Sequence, residues 1–264
     1  SGWRVVEEAL QQGMAVRAIV RPGSRLPPAL ASAEMAGCLD VLRLELIDAR
    51  ALQLALSGCD ALVIATGARP SVDLSAPLVV DALAVREQIQ ACKAVGLKRV
   101  VLVSSLCAGR WLHPLNLFGL ILVWKRLGER WLEASGLDWT VVRPGGLSED
   151  ESRSEREGVL FSDADQQERN SIPRRLVARV CLDALEDPAS EGRIVEVGEL
   201  AREPFEFRVA DAVAVFAQRA HDADHLVRAE AAIRADDVGA RIAERGGGLR
   251  RRRLGSGGRN VWTK

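Results

Sequence analysis

Short apolar segments recur along the chain, and stretches with a helical pattern separate most of them. Segments such as ALVIA (61–65) and RVVLVS (99–104) lack the polar–apolar alternation of a half-exposed strand. Continuous apolar strands are typical of a parallel sheet that helices cover on both faces. The sequence therefore predicts a doubly wound α/β fold. Its predicted strands are residues 14–20, 41–44, 61–65, 99–104, 139–143 and 193–197, and its helices include 49–56, 77–95 and 173–185.

The residues that follow the predicted strands are mostly small, polar or glycine, as a nucleotide cleft requires. In open α/β sheets, ligands bind at the carboxyl ends of the strands, and glycine lets the backbone approach a ligand closely. We therefore expect one edge of the sheet to carry a binding site. The residues at or beyond the strand ends are Arg21, Ala65, Thr66, Gly67, Ser104, Ser105, Pro144 and Gly145.

The chain opens on a helical pattern, with no strand before it. In a dinucleotide-binding fold the first strand is central and leads into a glycine-rich motif. Gly2 stands where the last glycine of that motif would fall, so we expect the first strand to be missing and the sequence to begin inside the motif. A residue left over from cloning would explain Gly2 equally well, and both explanations stay open here.

The composition changes after residue 200. We expect a nucleotide-binding domain over residues 1–200 and a helical extension, rich in Ala, Arg and Asp, over 201–245. Residues 246–264 are basic and glycine-rich and are expected to be disordered. The formal net charge is zero. Nothing in this balance indicates a nucleic-acid partner, and the four arginines at 250–253 are typical of a solvated tail.

The sequence predicts neither a metal site nor a membrane span. Its five cysteines are scattered, without the spacing of zinc ligands or of a redox dithiol, and are expected to be small buried residues in a reducing compartment. His221 and His225 would share one helix face but lack a third ligand. The longest apolar run, residues 115–124, is about half as long as a spanning helix requires.

Five motifs occur in the order and at the intervals of a known family: ALVIATGARPS, KRVVLVSSL, LILVWKRLGERWL, WTVVRPGGL and NSIPRRLVARVCLDAL. Together they resemble the atypical short-chain dehydrogenases/reductases, which have an NAD(P)-binding, Rossmann-like domain. The sequence is most similar to NmrA-like proteins and to the cyanobacterial and chloroplast branch that includes a redox-sensing import-translocon subunit. The resemblance covers residues 2–198.

This resemblance implies a nicotinamide cofactor, with NADP(H) preferred over NAD(H). In the family, the residue after the second strand selects the cofactor, and here it is Arg21, with Arg25 close behind. A guanidinium suits a 2′-phosphate, whereas an acidic residue would bind the ribose of NAD. Glu45 and Leu46 match positions that flank the adenine, although the family usually has Asp at the first. The remaining implied cofactor-binding residues are Gly2, Ala65, Thr66, Gly67, Ser104, Lys125, Pro144 and Gly145.

Classical enzymes of this superfamily use a Ser, a Tyr and a Lys, the last two spaced Y-x-x-x-K. Lys125 matches the lysine, but the residue four positions earlier is Ile121 and the chain contains no tyrosine. Ser105 and Lys125 remain as candidate catalytic residues, and Lys125 is expected to bind the nicotinamide ribose. Two simpler interpretations stay open: a strand-end serine often only satisfies backbone groups in a turn, and the lysine could face solvent.

We therefore expect an NADP(H)-dependent oxidoreductase that transfers hydride to a flavin-, quinone- or tetrapyrrole-like small molecule. Carbonyl or alcohol chemistry would lose a general acid–base factor of roughly 10²–10⁴ without the tyrosine. The alternative is a non-catalytic NAD(P)H-sensing scaffold or assembly factor that docks to a membrane-associated complex. The expected location is the cytoplasm, or the plastid stroma in a photosynthetic eukaryote.

The helix around Lys125 is expected to be amphipathic. Its predicted core face comprises Leu117, Leu120, Trp124, Leu127 and Trp131, with Lys125, Arg126, Glu129 and Arg130 on or beside the opposite, wet face.

Overall fold

The computed structural model describes residues 1–68, 74–117, 119–150, 158–167 and 171–200, together with the backbone of 259–263. Two compact units divide the chain. One comprises Ser1–Ala201 with Gly257–Lys264, and the other is Arg202–Ser256. The second unit lies outside the described residues, as do the whole predicted helical extension (201–245) and the arginines at 250–253.

The described elements alternate between strand and helix. The helices are α1 (Gly2–Gln11), α2 (Pro28–Met35), α3 (Ala49–Leu56), α4 (Ala84–Val95), α5 (Ile121–Glu133) and α6 (Arg174–Glu186). A π-helical turn, Leu78–Leu83, leads directly into α4, which ends at the left-handed Gly96. The strands are β1 (Val16–Val20), β2 (Leu39–Arg43), β3 (Cys59–Ile64), β4 (Arg99–Val103), β5 (Asp138–Pro144), β6 (Gly146–Ser148), β7 (Gly158–Asp163), β8 (Ser171–Pro173), β9 (Arg193–Leu200) and β10 (Arg259–Thr263).

Eight of these strands form one sheet in the order β2-β1-β10-β3-β4-β5-β9-β7. All neighbours in it are parallel except the edge strand β7, which runs antiparallel to β9. Strands β6 and β8 form a separate short pair. The predicted doubly wound fold is confirmed, and each of the six predicted strands corresponds to an observed one.

The central position of the sheet is occupied by β10, which pairs in parallel with β1 on one side and with β3 on the other. The first strand of the fold was expected to be missing, and no described strand precedes α1. Its place is taken by Arg259–Thr263, although residues 246–264 were expected to be disordered. The physical reason is backbone pairing: β1 and β3 each present a row of N–H and C=O groups, and a strand between them satisfies both rows.

Helices cover the sheet on both faces. On one face α1 and α6 pack together, with Val5, Ala9 and Val177 in the core. On the other face α3 and α4 pack together, with Leu56 and Ile89. Strand β3 contributes to both cores, because Val63 points to the first while Leu62 and Ile64 point to the second. Burial on both faces explains why its sequence is continuously apolar.

The predicted core face of the helix around Lys125 is only partly correct: Trp131 packs against the core, and Trp124 and Leu127 are half-buried. Helix α5 begins only at Ile121, so Leu117 and Leu120 precede it, and both are exposed. The residues that α5 buries are Leu122, Gly128, Glu129 and Leu132. Glu129 can lie in the interior because the guanidinium of Arg143, described below, compensates its charge.

Four of the five cysteines are buried, and Cys38 is exposed; none of the five forms a disulfide. Within the described part of the chain, no helix is long and apolar enough to cross a membrane.

Candidate cofactor site

The predicted site residues follow strands that end at the same edge of the sheet. Strands β1 to β5 all run parallel to their neighbours, with β1 and β2 on one side of β10 and β3, β4 and β5 on the other. The chain order thus reverses direction at β10. In open α/β sheets this switch point is where a crevice forms and a ligand binds. The fold therefore places the strand-end residues around one candidate crevice.

Two hydroxyl groups at this edge are buried without a hydrogen-bond partner. Thr66 follows β3 and Ser104 follows β4, and each residue is only 6% exposed. Neither Oγ1 of Thr66 nor Oγ of Ser104 bonds to any atom of the described residues. Such an unpaired group is costly, so its partner is expected to come from outside the chain. Hydroxyl, phosphate and amide groups of a dinucleotide supply such partners, and these residues fit the implied cofactor.

Lys125 does not face solvent. Its side chain is 13% exposed, and its Nζ lies 2.8 Å from Oδ1 of Asp81. A Cβ atom on Gly67 would lie 3.9 Å from the same Nζ, so the lysine sits beside the backbone of the residues that follow β3. The structure thus brings Gly67 and Lys125 together, and the interpretation of Lys125 as a solvent-facing residue is wrong. Its role as a ribose ligand stays a prediction.

Sequence reasoning missed Asp81. This residue lies in the π-helical turn before α4, a segment that was predicted only as helix. A carboxylate inside the apolar stretch LVVDAL was the available signal, because a buried Asp needs a partner. The partner, Lys125, could not be predicted because it lies 44 residues further along the chain.

The residues predicted to select the cofactor lie at the surface. Arg21 directly follows β1 and is exposed, as is Arg25. Neither guanidinium forms an ion pair with the described residues, so both remain available to an anion. Beyond β2, Glu45 is exposed and Leu46 is buried. An apolar side chain beside an exposed carboxylate is compatible with an adenine neighbourhood, and this assignment stays a prediction.

The remaining predicted residues are held by their backbones. Gly2 is the first residue of α1 and is buried. The N–H of Gly145 donates to Val197 at 2.9 Å, and the carbonyl of Pro144 accepts from Leu106 at 3.0 Å. Ser105 is half-buried, and its carbonyl closes a turn with Ala108 at 3.3 Å. Ser105 thus takes part in a turn, so it could have this structural role alone and no catalytic role.

A buried network of ion pairs lies at the end of β5. Arg143, near the end of β5, makes hydrogen bonds of 2.9 and 2.8 Å to the two carboxylate oxygens of Glu129 on α5. It also pairs with Asp165 at 3.0 Å and with Glu196 at 3.6 Å. Burial alone would lower the pKa of Arg143, but hydrogen bonding and charge from Glu129 outweigh it and raise that pKa above its ordinary value.

A cavity of about 150 Å³ lies outside the candidate crevice, beside α5. It is lined by Arg110, Trp111 and neighbours in that loop, and by one face of α5: Val123, Arg126, Leu127 and Arg130. Lys125 lies about 200° around the helix from Val123, so this cavity is on the other side of α5 from the candidate crevice. It contains none of the predicted site residues.

In the described ranges, no group of three or more His, Cys, Asp or Glu residues could hold a metal ion. His221 and His225 lie outside those ranges.

Comparison with known proteins indicates a nicotinamide cofactor. A family model described as NAD(P)H-binding matches residues 1–188. An uncharacterized chloroplastic protein of Arabidopsis thaliana is 34% identical over 215 residues, which is 77% of this chain and 75% of that protein. Protein TIC 62 of Pisum sativum is 29% identical over 215 residues, covering 74% of this chain and 40% of that protein. Sanguinarine reductase of Eschscholzia californica is 28% identical over 192 residues, 58% and 70% of the two chains.

Solved structures share the fold. A Bacillus halodurans protein described as an NAD-dependent epimerase/dehydratase is 27% identical, with a TM-score of 0.64 over 75% of this chain and 88% of that one. An anaerobilin reductase of Escherichia coli O157:H7 is 23% identical, with a TM-score of 0.59 over 78% and 95%. This second likeness shows the fold alone. From the family match and the relatives, the chain belongs to the NAD(P)H-binding family of atypical short-chain dehydrogenases/reductases.

Proposed function

We propose that this protein is an NADP(H)-dependent reductase that transfers hydride to a planar flavin-, quinone- or tetrapyrrole-like acceptor. The observation that carries the proposal is the pair of unpartnered buried hydroxyls, Thr66 and Ser104, at the switch point, with Lys125 held near Gly67. The exposed Arg21 and Arg25 support a preference for the 2′-phosphate of NADP(H).

The cofactor supplies the hydride, and the protein supplies binding and orientation. In this proposal Thr66, Gly67 and Ser104 contact the cofactor through hydroxyl and backbone groups, and Lys125 binds the nicotinamide ribose through its ammonium. No tyrosine is present to protonate a substrate oxygen. This favours acceptors that take their proton from water, and the reductase names of two similar proteins, for sanguinarine and anaerobilin, are in keeping with such acceptors.

The test is NADPH oxidation by the purified chain, followed by absorbance with a flavin, a quinone and a linear tetrapyrrole as separate acceptors. Lys125→Met serves as the site variant and Lys93→Met, at the end of α4, as the matched control. Turnover that falls with Lys125→Met and persists with Lys93→Met supports the proposal. Tight NADPH binding with no turnover on any acceptor contradicts the reductase and favours the second candidate.

The second candidate is a cofactor-sensing module that docks to a membrane surface, in the stroma or cytoplasm. A cluster of exposed apolar side chains favours it: Trp111 is 74% exposed, Leu112 100% and Leu117 82%. Hydrogen bonds of the buried Asn116 stabilise the loop that carries these side chains. Asn116 donates to the carbonyl of Trp111 at 2.9 Å and accepts from the N–H of Leu122 at 3.0 Å. Its polar groups face inward while its apolar groups face outward.

The charge around this loop favours one kind of partner. Residues 105–128 contain no acidic side chain and include Arg110, whereas Lys125 and Arg126 of the same range are already paired with carboxylates. Tryptophan and leucine flanked by arginine are typical of surfaces that dock on anionic lipid headgroups. We therefore propose an anionic bilayer surface as the docking partner.

Vesicle co-sedimentation tests the docking surface. The protein is expected to bind vesicles of phosphatidylglycerol and phosphatidylcholine, to bind less at high salt, and to ignore pure phosphatidylcholine. Leu112→Asp with Leu117→Asp should abolish binding, whereas Leu54→Asp, at a leucine of α3 that is 70% exposed, should not. Absence of binding to anionic vesicles would contradict a lipid partner and leave a protein surface as the ligand of this loop.

A further inference from the structure

Asp81 occupies a position where a carboxylate is stable only with partners. Its side chain is 1% exposed, and a buried carboxylate requires a cation or several hydrogen-bond donors. Oδ1 lies 2.8 Å from Nζ of Lys125, and Oδ2 accepts the N–H of Ala68 at 3.1 Å. One carboxylate therefore joins α5 to the segment that follows β3.

The close approach of α5 depends on Gly128. A Cβ atom there would lie 2.8 Å from the backbone oxygen of Asp81, a separation that real Cβ atoms do not show. Gly128 is three residues after Lys125 and therefore near the same face of the helix. Its missing side chain lets the helix come near enough for the lysine to reach the carboxylate.

The ion pair also lies against the segment Ala65–Ala68. A Cβ atom on Gly67 would be 3.8 Å from Oδ1 of Asp81 and 3.9 Å from Nζ of Lys125. The same segment carries Thr66, whose hydroxyl lacks a partner among the described residues. Movement of the pair would therefore move the backbone that is expected to contact the cofactor.

The ammonium of Lys125 keeps N–H donors that a ligand could use. An ammonium carries three N–H donors. Nζ forms an ion pair with Oδ1 of Asp81, but Oδ1 has no hydrogen-bond partner among the described residues. The donors of Nζ therefore remain for ligand hydroxyls. In a classical enzyme of the superfamily the lysine also acts on a tyrosine, and this chain has none.

We propose that Asp81 is the positioning residue of this site: it holds the Lys125 ammonium and the segment Ala65–Ala68 in a single cofactor-binding arrangement. The inference rests on the proposed function only in requiring that Lys125 contact the nicotinamide cofactor. Asp81 itself acts through its two neighbours and not on the cofactor.

The test is a double-mutant cycle on the full chain, with Asp81→Asn, Lys125→Met and the double variant, read out as the Kd for NADPH. Each single substitution is expected to raise the Kd about tenfold, the order lost with a hydrogen bond to a charged group. The double variant should bind as Lys125→Met does, because asparagine can still accept the N–H of Ala68 and the contact with the lysine is already gone. Asp60→Asn, at an exposed aspartate of β3, is the matched control and should leave the Kd unchanged.

A purely structural Asp81 gives a different result. Its loss would then add to that of Lys125, and the double variant would bind more weakly than Lys125→Met, which overturns the proposal. Asp81→Asn with an unchanged Kd overturns it as well. If Asp81→Asn alone does not fold, Lys125→Met and the double variant still decide, because the double variant has no unpaired charge. A wild-type chain that does not bind NADPH refutes the proposed function instead, which keeps the two failures distinct.

Discussion

The guanidinium of Arg143 and the carboxylate of Glu129 form a two-fold hydrogen-bonded pair, and both side chains are almost completely buried. The pair joins the end of β5 to α5, the helix that carries Lys125. A second carboxylate, Glu196, accepts three backbone N–H groups from Asp165, Gln166 and Gln167 at 2.8, 3.1 and 2.8 Å. Because Asp165 also pairs with Arg143, the network fixes this loop and α5 to the same strand end.

Removing one member of the buried pair is expected to be strongly destabilising. Glu129→Gln leaves the charge of Arg143 undercompensated and should lower the free energy of unfolding by about 3–5 kcal/mol. Urea denaturation measures the change. The exposed pair of Arg43 and Glu34 provides the control, and Glu34→Gln should cost less than about 1 kcal/mol. Equal losses from the two substitutions would show that burial does not set the strength of the Arg143 pair.

The unpartnered hydroxyls at the switch point predict opposite effects on stability and binding. Thr66→Val and Ser104→Ala remove buried groups that lack partners, so the melting temperature without cofactor should stay constant or rise. The Kd for NADPH should rise roughly fivefold to tenfold for each. Calorimetry measures both quantities.

Thr140→Val is the matched control for these two substitutions. The hydroxyl of Thr140 is already paired, with the carbonyl of Ser190 at 2.8 Å and with Arg99 at 2.8 Å. Its removal should lower the melting temperature and leave the Kd for NADPH unchanged. A loss of stability with Thr66→Val or Ser104→Ala would mean that those hydroxyls have structural partners.

Arg21 is expected to set the choice between the two nicotinamide cofactors. Arg21→Asp should raise the Kd for NADPH by tenfold or more, because a charge-assisted bond to the 2′-phosphate is replaced by repulsion. The Kd for NADH should stay constant or fall. Arg50→Asp, at an exposed arginine of α3, controls for the change in net charge. Parallel losses for both cofactors would place Arg21 outside the 2′-phosphate site.

The buried thiols predict a loss of stability at high pH. Burial raises the pKa of Cys92 and of Cys181 to about 12, from an ordinary value of 9.0. The folded state therefore keeps protons that the unfolded state releases, so this stabilisation is complete below pH 9 and is lost as the pH rises from 9 towards 12. Each thiol should contribute up to about 1.4 kcal/mol per pH unit within that window. Cys181→Ala should reduce the slope of unfolding free energy against pH, and an unchanged slope would contradict this prediction.

Strand β10 is expected to be essential to the sheet. Val261→Pro removes a backbone N–H from a strand that pairs on both sides, and should lower the free energy of unfolding by about 3 kcal/mol or more. Val261→Ile is the control, since it preserves the backbone and a β-branched side chain. Circular dichroism during thermal unfolding measures both. An unchanged transition in Val261→Pro would show that β1 and β3 do not depend on this strand.

Most of the fold could be predicted because burial on both faces leaves a local signature. Strand β3 packs Val63 against one helical layer and Leu62 against the other, and its sequence is continuously apolar as a result. The face of α5 could not be predicted in this way. Glu129 reads as a polar surface residue, and only its pairing with Arg143, 14 residues further along the chain, makes its burial possible.

The sequence by itself determined the parallel α/β architecture, the strand ends that surround the candidate crevice, and the absence of a tyrosine from the entire chain. Local apolar patterns and composition carry this information. The tertiary structure alone decided that Asp81 pairs with Lys125, that Glu129 lies in the interior, and that Arg259–Thr263 forms the central strand. Each of these depends on charges or backbone groups that are remote in sequence and are satisfied only when folding brings them together, so no local pattern encodes them.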